Sequence, residues 1–172
     1  MRAIAIVLLV GLTPAVGCGY HTLDAATHLP SDARTLAIPL FTTRANTYHT
    51  ETVMTDAVIR EFSTRSRLRV LPDENGNPDV VLRGTILQET VAPLTYNSST
   101  QQSSSFLITV VAEVRLTARD GHVLYENKNY VFREQCQSTT DLPAYFDESS
   151  AAIDRLSRDF ARALVADVLE GM

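Results

Sequence analysis

Metal ligation, proton transfer and acyl transfer need histidines, cysteines or carboxylates brought together, and this 172-residue chain offers four His and two Cys. His21, His28, His49 and His122 stand far apart, with no HxxxH pair and no cysteine at ligand spacing, so no metal site is expected. The seven glycines fall singly, which leaves no loop to cradle a phosphate, and there is no G-x-S-x-G. Asp73-Glu74-Asn75-Gly76-Asn77-Pro78-Asp79 sets oxygen side chains at alternate positions, as calcium loops do. Its sixth residue is Pro78 and its twelfth Gly84, where a calcium loop needs Gly and Glu, so a turn accounts for it. Glu126 and Glu134 would suit an acid and a base, but Lys128 and Arg133 beside them read as solvated strand charges. The side chains therefore predict neither a catalytic set nor a cofactor, and point to work done by binding.

Cys18 is the exception, because its surroundings give its thiol a use. Ala3 to Val16 is an almost unbroken apolar run behind a single cation, Arg2. A spanning helix needs about 20 apolar residues, so this shorter run ending in small residues reads as a signal peptide over residues 1–17. Ala15-Val16-Gly17-Cys18 resembles a bacterial lipobox, whose cysteine receives a diacylglycerol before cleavage and an N-acyl chain, such as palmitate, after it. One acyl chain gives marginal anchoring and several give stable anchoring, at about 0.8 kcal/mol per buried CH₂. Gly19, rather than Asp, at the next position favours outer-membrane sorting by the same resemblance.

Cleavage before Cys18 would leave 155 residues, enough for one domain with a proper core. The net charge of −5 argues against nucleic acid, whose binders carry a basic stripe. With Cys18 acylated, Cys136 has no disulfide partner in the chain and reads as a small buried hydrophobe in or near a strand.

Residues 18–33 are polar and irregular, a tether able to reach about 45 Å if extended. The domain then spans 34–172. Arg34 to Phe41 reads as a first strand, with Pro39 suiting an edge or terminus. From His49 to Ser66 the spacing of Met54, Ala57, Val58 and Phe62 predicts an amphipathic helix, with Glu51 early and Arg65 late to suit its dipole. Val80, Leu82 and Ile86 alternate with Arg83, Thr85 and Glu89, and Phe106 to Leu116 alternates with Thr109, Glu113 and Arg115. That period of two predicts strands with one covered face. Thr95 to Ser105 (TYNSSTQQSSS) reads as a polar loop between them. Asp120-Gly121 predicts a two-residue hairpin turn into a strand from Val123. Ile153, Leu156, Phe160, Leu164 and Val168 make the stripe of a last helix, from about Leu142 or Asp147 to Leu169, with Asp147 as a cap. The expected fold is α+β, two helices on one face of a four-stranded mixed sheet in the order β-α-β-β-β-α.

Cys18-Gly19-Tyr20-His21, then Leu29-Pro30, then Thr35-Leu36-Ala37-Ile38-Pro39 resemble the start of the LPS-assembly lipoprotein family LptE, also called RlpB. Asp79-Val80-Val81-Leu82-Arg83-Gly84, the hairpin pair and the Ala- and Leu-rich last helix resemble its later pattern. The resemblance implies a two-helix, four-stranded domain that plugs the β-barrel LptD and helps place lipopolysaccharide in the outer leaflet, without catalysis. It also implies lipopolysaccharide contacts through basic residues near the hairpin between the second and third strands; in that loop Tyr96, Asn97, Ser98 and Gln101 are candidates to meet the partner. Leu94 to Phe106 holds no Lys or Arg, and a phosphate site wants cations or a helix N-terminus. Arg83, Arg115, Lys128 and Arg133 are the candidates for lipopolysaccharide instead. A different envelope lipoprotein of similar fold, serving polysaccharide export or adapting a lipid, is the alternative; a hydrolase with a dispersed site is the third.

Overall fold

The computed structural model describes residues 28–45, 49–97, 102–137 and 142–171. Cys18 and the signal peptide lie outside them. The elements run β1 (Thr35–Ala37), β2 (Thr42–Thr43), α1 (Thr50–Arg65), β3 (Arg69–Leu71), β4 (Val80–Asn97), β5 (Gln102–Ala118), β6 (Val123–Gln137) and α2 (Leu142–Glu170). The sheet order is β3-β1-β4-β5-β6, with β2 beside β4. β1 pairs in parallel with β3 and β4, whereas β4, β5 and β6 form an antiparallel meander. The α+β architecture and mixed sheet are as the periodicities predict, with six strands in place of four. The two additions are β2 and β3, whose two and three residues carry too short a pattern to announce a strand.

The alternation in β5 sets the layers. Ile108, Val110, Ala112, Val114 and Leu116 are buried, and they meet Met54, Ala57, Val58 and Phe62 of α1 and Leu156, Phe160, Leu164 and Val168 of α2 in one core. Phe160 is the hub: Phe41, Tyr130 and Phe132 set their rings edge-on to it at 6.2, 5.6 and 5.5 Å. Edge-on pairs of this kind add about 0.5–1.5 kcal/mol each beyond their burial. Near the end of α2, Asp167 accepts hydrogen bonds from the hydroxyls of Tyr125 and Tyr130, tying the helix to β6. Burial, first among the causes, pushes the Tyr130 hydroxyl well above the usual phenol range.

Several boundaries differ from expectation. α2 begins at Leu142, so Asp147 lies inside the helix rather than at its cap. α1 starts behind His49, a left-handed residue (φ 60°) that makes no side-chain cap. The turn into β6 has three residues: Ala118 N–H donates to His122 O at 2.8 Å, and Gly121 N–H to Ala118 O at 2.9 Å. A two-residue type I′ turn needs positive φ at both central residues; here only Gly121 has it (φ 87°), which is the three-residue hairpin with glycine at the left-handed position. The segment Thr95 to Ser105 is not all loop either, since β4 runs on to Asn97 and β5 resumes at Gln102. Paired hydroxyls hold its base, with Thr95 Oγ1 and Ser105 Oγ 2.7 Å apart.

Candidate interaction surface

The β4–β5 hairpin gives the molecule a long axis. From Leu82 to Asn97 an extended strand covers about 50 Å. Leu82 pairs with Leu116, which pairs with Tyr125, and this row marks the base of the sheet. The N-terminal segment leaves from that base: His28 N–H donates to Val168 O at 3.0 Å, and the His28 ring lies 5.1 Å from that of Tyr125. Leu29 and Ala33 pack against the core, so residues 28–33 of the segment read as a tether lie on the domain. Chain entry and hairpin tip are thus at opposite ends.

One face of the meander carries no helix. Arg83, Arg115 and Glu126 share one row across it, Gln88, Val111 and Val131 a second, and Thr90, Thr109 and Arg133 a third. The four cations expected here fare differently. Arg83 donates from Nε to Glu74 Oε1 at 2.9 Å. Arg115 donates from Nε to Glu126 Oε1 at 2.7 Å, and Lys128 Nζ lies 3.3 Å from the other oxygen of the same carboxylate. The Arg115 hydrogen bond is the main reason the Glu126 carboxyl titrates below the usual range. Arg133 is exposed and has no ion-pair partner among the described residues. It stands apart, about 20 Å along the sheet from the Arg83–Arg115 row. Glu134, expected to sit among solvated strand charges, faces the other way and accepts from Arg155 Nε of α2 at 2.6 Å.

Of the hairpin residues, Tyr96 and Asn97 close β4, opposite Ser103 and Gln102. Ser98 and Gln101 lie outside the described residues. The Asp73–Asp79 segment is a turn, as expected, with Asp73 Oδ1 accepting from Asn75 N–H at 3.0 Å. Among the described residues no group of three acidic, His or Cys side chains could hold a metal, and no helix is long and apolar enough to cross a membrane.

A feature that the alternation missed lies on the other face. Between Ile86 and Gln88 the β4 register slips by one residue, so that Glu89 pairs with Val110 and Val91 with Ile108, both of the helix-facing set. A one-residue slip exchanges the faces of everything beyond it. Glu89, expected on the solvent side, therefore points toward the helices. There it helps to line a groove of about 400 Å³ with Val53, Val91, Phe106, Ile108 and Ile153. Cys136 also lines it and is buried, as expected of a small hydrophobe in a strand. Burial pushes the Glu89 carboxyl above the usual range, a Thr50 side-chain hydrogen bond opposes that, and the charge of Glu51 adds to it. The signal in the sequence was a carboxylate followed by two apolar residues at 91 and 92, where strict alternation would place one.

The comparisons agree with this architecture. No curated protein matches the chain. Lipoprotein B of Nitrosomonas europaea is similar in fold, with a TM-score of 0.56 at 14% identity over 86% of this chain and 89% of its own. The rare lipoprotein B of Shewanella oneidensis is similar at a TM-score of 0.50 and 10% identity, over 76% of this chain and 92% of its own. The family model for lipopolysaccharide assembly, LptE, matches residues 33–168, which takes in every strand and all but the last two residues of α2, so the chain belongs to the LptE family.

Proposed function

We propose that the protein is an outer-membrane lipoprotein, held by acyl chains on Cys18, whose domain plugs the β-barrel LptD and supports delivery of lipopolysaccharide to the outer leaflet. The work is done by binding. The observation that carries this reading is the long axis: the chain enters at the base of the sheet, and the β4–β5 hairpin extends to the opposite end. A domain tethered at one end presents the hairpin and its helix-free face to a surrounding wall. Membership of a lipopolysaccharide-assembly family supports the same reading. The helix-free face, with the exposed Arg133 that has no ion-pair partner among the described residues, is the surface offered to lipopolysaccharide phosphates.

The test is purification of the full-length lipoprotein from its own host in mild detergent, with mass spectrometry of what accompanies it. A large β-barrel at near-equal stoichiometry is the expected result. Recovery alone, or with polysaccharide-export components, overturns the plug reading in favour of another envelope lipoprotein.

A further inference from the structure

The groove beneath the helices has a wall that its own residues do not satisfy. Glu89 Oε2 is shut off from solvent and has no hydrogen-bond partner among the described residues. Leaving a buried oxygen unmade costs about 1–3 kcal/mol, more for a charged group. Glu51 lies close enough for its charge to act on the same carboxyl. Around this acid the apolar residues of the groove are joined by His49, Thr50, Ser149 and Ser150, and Val91 remains 49% exposed although it lies on the helix-facing side. The helices thus stop short of covering the face at this level.

We propose that this groove seats a lysine or arginine side chain of the partner, flanked by apolar residues in the same segment. The proposal rests on the barrel-partner reading above and names the chemistry of one contact within it. A cation beside the carboxyl answers both causes that raise the acid, since its charge offsets the burial of the carboxylate and the nearby Glu51. Apolar neighbours in the same segment would cover Val91 and the adjoining wall, where burial contributes about 25 cal/mol per Å². An anionic amphiphile fits poorly, because its phosphate would approach the Glu89 carboxyl. A bare acyl chain fits poorly too, since the groove opens to solvent and leaves Glu89 unanswered.

The test uses the full-length lipoprotein expressed in its own host with its partner. A photo-crosslinking residue is placed at Val91, whose exposure lets the core stand, and in a second strain at Thr90 on the helix-free face. After illumination, adducts are digested and sequenced by mass spectrometry. The expected adduct at Val91 is a barrel peptide with Lys or Arg within a few residues of the link and apolar residues beside it. Glu89→Gln, which keeps size and removes charge, should cut its yield roughly tenfold while leaving the Thr90 adduct unchanged. A lipid adduct at Val91, a peptide without a cation, or a yield unmoved by Glu89→Gln overturns the proposal. Barrel labelling from Thr90 with none from Val91 overturns it while the plug reading stands. No barrel labelling from either position overturns both.

Discussion

Thr35 and Asp79 clasp each other across two parallel strands: Asp79 Oδ2 accepts from Thr35 N–H at 2.9 Å and from Thr35 Oγ1 at 2.8 Å, while Thr35 Oγ1 accepts from Asp79 N–H at 2.9 Å. The same Oδ2 accepts from Arg34 N–H at 2.9 Å, and Oδ1 accepts from Arg119. One carboxylate therefore joins the start of β1, the start of β4 and the β5–β6 turn. β1 is only three residues long, and the clasp adds to its ladders with β3 and β4.

This sets a pH dependence. Donated hydrogen bonds, the Arg34 backbone first, lower the Asp79 pKa from 3.8 to about 2. A depressed acid stabilises the fold above its unfolded value, and that contribution fades as pH falls through the folded one. Asp79→Asn should lower Tm by a constant amount above pH 3.8, and the gap to the parent should close between 3.8 and about 2. Thermal melts of both proteins across that range check it. A gap that persists at the acid end would assign the stabilisation to shape rather than charge.

Gly84 is where the sheet makes room for Phe41. A Cβ on Gly84 would meet three atoms of the Phe41 ring at 2.5–2.6 Å, and that ring is buried against Phe160. Gly84→Ala should cost about 1–3 kcal/mol through overpacking, measured by urea denaturation. Restoring stability with Phe41→Leu in the Gly84→Ala background would identify the ring as the cause, and failure to restore any would place the strain in the backbone.

Such close approaches are not written in a local pattern, and the contrast with what was legible is instructive. β5 could be read because twelve residues keep one face inward without interruption, and α1 and α2 because their stripes recur over several turns. β3 could not, because Arg69–Leu71 becomes a strand only by lying beside β1. Strict alternation puts Glu89 on the wrong face because only the apolar pair at 91 and 92 hints at the bulge, and the Ser- and Thr-rich hairpin end reads as loop because its polar residues carry no alternation. β3 and Glu89 share one origin, a partner strand elsewhere in the sequence deciding the local state. The candidate cations were all legible by type, but their ion pairs were not, and these pairs separate Arg133 from the other three.

Cys18 supplies a test of the anchor. Cys18→Ala removes the only atom that can carry the diacylglycerol, so acyl labelling should vanish and the protein should leave the outer-membrane fraction. Several chains are needed for stable anchoring, so partial retention through apolar contacts of the domain is not expected in the absence of a partner. Metabolic labelling with a fatty acid and membrane fractionation check this. Unchanged labelling would remove the lipoprotein assignment, and loss of label with retained position would transfer the anchoring role to the partner.

Arg133 gives the sharpest test of the helix-free face, because its neighbours serve as internal controls. Arg83 and Arg115 are engaged by Glu74 and Glu126, and a phosphate must compete with those carboxylates to reach them. Arg133 has no such competitor among the described residues and stands exposed beside Thr109, whose hydroxyl adds a donor in the same row. Arg133→Ala should leave stability within about 0.5 kcal/mol of the parent, as expected of an exposed side chain with no ion pair among the described residues. A charge-assisted hydrogen bond contributes about 1.5–3 kcal/mol, so the same change should weaken lipopolysaccharide binding by roughly tenfold or more. Arg83→Ala should weaken it less, since removing that arginine also frees Glu74 and changes the local charge by the same unit without removing an open site. Binding of purified lipopolysaccharide to the three proteins, at low and high salt, checks the order. If Arg83→Ala proves the more damaging, the ion pairs open on binding and the site lies at the base of the sheet; if neither matters, this face meets protein rather than lipopolysaccharide.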